Sequence, residues 1–178
     1  MRPRWSSPVL VIGFSLLASG PAVADPQVKV GAPCTETNRP SLADVDHKPL
    51  TALLSKYVDD GGLVAYARWK ADDKDRKALE DYLIRAGCVD LKKEAAKSAR
   101  TAYWINVYNA LTLHGILREY PTPSIRRHAG EDGGYNIWQD LLLSVDGNWY
   151  SLDDIEHKIL RKMGDPRVHF GLVCGSNQ

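Results

Sequence analysis

The stretch LKKEAAKSARTAYWINVYNALTLHGILREYP predicts one long helix that ends at Tyr120-Pro121, since a proline disfavours the helical state in the residue before it. Its second half has almost no polar face. On a wheel, Trp104, Tyr108, Leu111 and Gly115 share one side, and Tyr103, Val107, Ala110 and His114 another. Leu113 and Leu117 lie on a third, with Asn106 and Asn109 beside them. A helix that is apolar all round is buried on most sides, so this one is expected at the centre of the fold. Asn106, Asn109 and His114 are then buried polar groups, each in need of a partner.

Shorter patterns flank it. In SLADVDHKPLTALLSKYVDDGG, Leu50, Leu53, Leu54 and Tyr57 recur at helical spacing until the turn signal Asp59-Asp60-Gly61-Gly62. LVAYARW alternates and predicts a short strand. KADDKDRKALEDYLIRAG predicts a helix with Leu79, Tyr82 and Leu83 as its apolar stripe, a charged start and Gly87 as its C-cap. IWQDLLLSV and NWYSL flank Asp146-Gly147-Asn148, a hairpin signal. SLDDIEHKILRKMGDP predicts a helix capped by Ser151 with Asp154 reaching back, and closed by Gly164 and Pro166. RVHFGLVCGS reads as a final strand, with His169 and Gly171 on one face and Phe170, Leu172 and Cys174 on the other. Helices fill the first half and strands gather after residue 135. The expected class is α+β, with the long buried central helix packed on a small antiparallel or mixed sheet.

Composition narrows the setting. Arg2 and Arg4, the apolar run VLVIGFSLLASG and Ala22-Val23-Ala24 have the order of a secretory signal. The expected organisation is a signal peptide over 1–24, a loose Pro- and Gly-rich lead-in over 25–40, and one domain over 41–178. Cleavage after Ala24 leaves 21 basic against 22 acidic residues and no membrane span, so nucleic acid and anionic membranes are not expected partners. The expected location is exported, periplasmic or secreted. There an oxidising environment permits a bridge, and Cys34 with Cys88 is the pairing that leaves Cys174 free. No CxxC, HExxH, Walker or dinucleotide pattern occurs, so neither metal nor cofactor is expected.

Glu156 is the sharpest clue from spacing. It falls inside the apolar stripe of Leu152, Ile155, Ile159 and Met163, whereas His157 lies off it near Asp153 and Arg161. A core-facing carboxylate must be paired or its pKa rises. It is either a general base or histidine orienter, or one half of a structural ion pair with Arg167 or Arg126. Cys174-Gly175-Ser176 at a strand end would present a thiol and backbone amides together, which is what acyl transfer needs once a histidine activates the thiol.

YWINVYNALTLHGIL, YPTPSIR, YSLDDIEHKILR and DPRVHFGLVCGS, in this order, resemble the domain of unknown function 547 family over roughly residues 99–176. The resemblance implies a secreted or envelope-associated bacterial protein of mixed helix and strand with no settled role. It singles out Asn106, Asn109 and His114, then Glu156 and His157, then Asp165, Arg167, His169, Cys174 and Ser176. Members of the family continue past the last motif through a Ser-x-x-Cys-Pro-like segment, so a domain incomplete at its C-terminus is expected here. Three readings follow. One is a thiol-dependent hydrolase or acyltransferase acting on a peptide, amide or ester, with Cys174 as nucleophile, His114 or His157 as base, and Glu156 or an asparagine as orienter. Asn106, Asn109, Arg167, His169 and Ser176 are its candidate binding residues. The second is a non-catalytic envelope module for a small molecule or peptide. The third is an inactive truncated fragment.

Overall fold

A helix of 23 residues, Lys97–Glu119, forms the axis of the computed structural model, which describes residues 27–130 and 134–172. Before it in the chain come β1 (Val28–Val30), α1 (Lys48–Tyr57), α2 (Tyr66–Lys70) and α3 (Asp73–Gly87), so the long helix is α4. After it come α5 (Ile137–Asp140), β2 (Leu141–Val145), β3 (Asn148–Ser151), a π-helix (Asp154–Leu160) and α6 (Val168–Gly171). The expected α+β class holds, and so does the burial of α4: Tyr103, Trp104, Val107, Leu111 and Ile116 are all within 3 % of complete enclosure. No helix among the described residues is long and apolar enough to cross a membrane.

The sheet is small and mixed, in the order β1-β2-β3. β2 is its centre, and all five of its residues are buried. It pairs antiparallel with β3 through a turn in which Asp146 and Gly147 both have positive φ, 49° and 76°. Such a turn matches the twist of the two strands, and the Asp-Gly pair suits it. β1 pairs in parallel with β2, Val28 opposite Leu141. Part of the 25–40 stretch thus becomes an edge strand, because a partner more than a hundred residues downstream supplies the hydrogen bonds.

The helices close over this sheet. Tyr103 of α4 donates its hydroxyl proton to the Ala86 carbonyl of α3 at 2.9 Å, and Trp104 lies 5.3 Å from the Tyr150 ring of β3. Tyr57 of α1 stacks on Trp69 of α2 at 4.6 Å. A bridge joins Cys34 and Cys88, the expected pair, with Cα atoms 5.2 Å apart.

Three expectations need correction. LVAYARW is not a strand: a lone bridge joins Val64 to Val58, and then α2 begins. A helical turn is what carries Trp69 back under Tyr57, whereas an isolated strand there would lack partners. The last described segment is not a strand either. The Asp165 side chain accepts from the Arg167 amide at 3.0 Å, and the Val168 amide bonds the Asp165 carbonyl. This Asx-type turn starts α6, which places His169 and Phe170 in solvent, Phe170 at 93 % exposure. Cys174 and Ser176 lie outside the described residues.

The third correction concerns the helix after β3. Its start is as expected: the Asp154 amide donates to Ser151 Oγ, and the Ser151 amide donates to Asp154 Oδ2, both at 3.1 Å. Gly164 closes it with a left-handed φ of 71°. Between them, however, Asp154–Leu160 follows i→i+5 hydrogen bonding and Arg161–Met163 a 3-10 turn, so an ordinary wheel misplaces the side chains.

Candidate functional site

Glu156 is the centre of a polar cluster between the π-helix and α4. Its side chain is only 14 % exposed. Tyr108 of α4 donates its hydroxyl proton to Glu156 Oε2 at 3.2 Å, and Arg161 donates from Nη2 to Oε1 at 2.6 Å. On a regular α-helix residues 156 and 161 would be about 140° apart. The π register closes that angle and lets the guanidinium reach the carboxylate, the Arg161 amide itself bonding the Glu156 carbonyl. The ion pair is therefore made with Arg161, not with Arg167 or Arg126. Arg167 instead holds Asp165 through Nε and Nη2 at 3.0 and 2.7 Å, and keeps its carboxyl low, at about 2.

His157 stands beside the carboxylate. Its Nδ1 is 3.9 Å from Glu156 Oε1, and its Nε2 is 3.9 Å from Asp153 Oδ1. The ring is half exposed and open to solvent. Both spacings exceed a hydrogen bond, and catalytic contacts are commonly this loose before substrate binds.

The next residue along α4 extends the cluster. Asn109 donates from Nδ2 to the Gly171 carbonyl at 2.8 Å and so ties α6 to the long helix. Thr112, one turn on, bonds back to the Tyr108 carbonyl at 2.9 Å. Asn106 is half-buried on the same helix. Adjacent residues of one buried helix therefore hold the acid and the last described turn. His169 points to solvent from that turn.

His114 belongs to a different place. It is about 120–140° round α4 from Tyr108 and Asn109. It lies in a cleft of about 470 Å³ between α3 and α4, with Lys70, Glu80, Leu117 and Arg118 in the walls. Its Nδ1 is buried without a hydrogen-bond partner among the described residues. Of the two histidines named as the base, the structure brings only His157 to Glu156.

Burial holds the His114 imidazole below its ordinary 6.5, Glu80 raising it and Arg118 lowering it by lesser amounts. Burial lowers His47 as well, whose Nδ1 is 2.8 Å from the Tyr82 hydroxyl. A histidine with a lowered folded pKa leaves the unfolded chain binding more protons between the two values. Its contribution is complete above about pH 6.5 and is lost as pH falls through that value towards the folded pKa. The His114→Gln variant should therefore lose less stability than the parent between about pH 7.5 and 5, read as urea midpoints. Parallel curves for the two proteins would contradict this.

Sequence reasoning missed Tyr108 and Arg161 as partners of Glu156. Tyr108 sat in an apolar stripe, where its hydroxyl was the only hint. Arg161 was on the wrong side of the assumed wheel.

Residues 92–178 match the family model described as "Protein of unknown function, DUF547". No curated protein and no solved structure matches the chain.

Proposed function

We propose, from the premise that residues 92–178 of this chain belong to the family of proteins of unknown function DUF547, that it is an exported thiol-dependent hydrolase or acyltransferase for a peptide, amide or ester. One observation carries the reading: Tyr108 and Asn109, neighbours on α4, hold Glu156 and the Gly171 carbonyl respectively. One rigid helix thereby holds both an acid and the turn that precedes Cys174 in sequence. Cys174 is the nucleophile, His157 takes its proton, and Glu156 orients the imidazole and offsets its charge once it is protonated. Tyr108 and Arg161 fix the carboxylate in turn. His114 has no part in this chemistry, since it opens on the other side of α4. Asn106, Arg167, His169 and Ser176 remain the candidate contacts for substrate. The Cys34–Cys88 bridge supports the exported setting, because such bridges persist in oxidising compartments.

The second reading, a non-catalytic binding module, draws on the cleft at His114, whose volume of about 470 Å³ suits a small ligand. Alkylation of Cys174 by iodoacetamide against pH separates the two, with Cys34 and Cys88 kept oxidised. The catalytic reading expects a thiolate titrating well below the free-cysteine value of about 8.5. Glu156→Gln and His157→Ala should return it towards that value, and His114→Ala should leave it alone. A thiol that is inert, or that behaves as free cysteine in the parent, would leave the binding module. A response to His114→Ala alone would overturn the assignment of His157.

A further inference from the structure

Besides the bridge itself, a carboxylate lies at the Cys34–Cys88 junction. Glu36 brings an oxygen within 4.8 Å of both sulfurs, and the sulfurs are half-buried while the acid faces solvent. We propose that Cys34, Cys88 and Glu36 form a redox-gated site for a thiophilic divalent cation, which takes zinc when a dithiol opens the bridge and releases it when a small-molecule disulfide, itself reduced to two thiols, closes the bridge again.

The chemistry balances with a dithiol as reductant. Two electrons and two protons pass from the dithiol to the bridge, which becomes two thiols, and the dithiol becomes its own disulfide. Zinc then displaces both thiol protons, so two thiolates and one carboxylate face one dication. Two thiolates and an oxygen ligand suit zinc, with water completing a tetrahedron. Two thiolates and a carboxylate in one place carry like charge, which a bound dication offsets.

The geometry survives reduction because the segment carrying Cys34 is held on both sides by other bonds. Upstream, β1 pairs with β2. Downstream, the Asp90 amide bonds the Pro40 carbonyl at 2.9 Å, and Lys93 Nζ bonds the Arg39 carbonyl at 2.7 Å. Arg39 also pairs with Asp146, and the Ser41 hydroxyl donates to the Glu94 carbonyl at 3.3 Å. Opening the bridge thus leaves the segment that carries Cys34 tethered at both ends near Cys88. The oxidised form lacks any thiolate and is expected to bind no zinc. Metal occupancy therefore reads the redox state directly.

The test uses the full chain in a Cys174→Ser background, so that no third thiol contributes. A trialkylphosphine reduces the bridge, the phosphine taking oxygen from water, and Co²⁺ is titrated without air. The reduced protein should bind one Co²⁺ with a thiolate-to-cobalt charge-transfer band in the near ultraviolet, which Zn²⁺ abolishes. The oxidised protein should show no band. Losing an outer partner of a metal ligand costs roughly 10–100-fold in affinity, so losing the Glu36 ligand itself through Glu36→Gln should cost at least about tenfold. Circular dichroism follows the fold in parallel. A reduced, folded protein with no charge-transfer band would overturn the site. So would a band of equal affinity in Glu36→Gln, or a reduced protein that unfolds and does not recover when zinc is added.

Discussion

Gly87→Ala should destabilise the fold by more than about 3 kcal/mol, beyond the usual cost of overpacking a core. Gly87 is the last residue of α3 and is packed against the central strand. A methyl group placed on it would fall inside the van der Waals shell of the Ser144 carbonyl oxygen, with the Ser144 carbonyl carbon 3.2 Å away. These are backbone atoms of β2, so no rotamer change relieves the clash. The Gly87 carbonyl also accepts the Asp146 amide at 3.0 Å, which locks the helix end to the hairpin turn and prevents a slide. Gly115 is the useful contrast. Its added methyl would meet Leu141 Cδ2 at 2.7 Å and Ile137 Cδ1 at 2.8 Å, the far ends of side chains that can turn aside. Gly115→Ala should cost less, about 1–3 kcal/mol. Denaturant midpoints of the two variants settle the order. Equal or reversed losses would mean that α3 moves off the sheet easily.

The double variant Cys34→Ser/Cys88→Ser should be weaker than the oxidised parent by about 4 kcal/mol. That is the loop-closure entropy for a sequence separation of 54 residues. For a chain of this size the loss corresponds to a drop in Tm of roughly 8–16 °C. The variant should still fold, because β1 and the bonds around Arg39 and Pro40 remain. A shift under about 2 °C would show that the unfolded chain gains nothing from being opened there.

These two predictions differ in how far the sequence foretold them. The sequence left the cysteine pairing open and showed only that Cys34 with Cys88 was the pair that left Cys174 alone; the structure makes that bridge. Gly87 was read as the helix cap, but it is the last residue of α3 and Cys88 caps it; its closeness to Ser144 belongs to the packing of α3 on β2. Similarly, Glu156 stood out as an acid within an apolar stripe, and burial was the correct inference. Its partners depended on a π register that no local propensity announces.

Local physics made α3 and α4, the Asp146-Gly147 turn and the Ser151–Asp154 cap legible, since each rests on residues a few positions apart. A proline stop, a positive φ and a side chain bonding a nearby amide are all decided within one or two turns. Tertiary structure alone decided that Val28–Val30 becomes a strand, that α2 replaces a strand under Tyr57, and that His114 and Glu156 occupy opposite sides of α4. Each of these turns on a partner far away in the chain, whose hydrogen bonds or apolar surface outweigh the local preference.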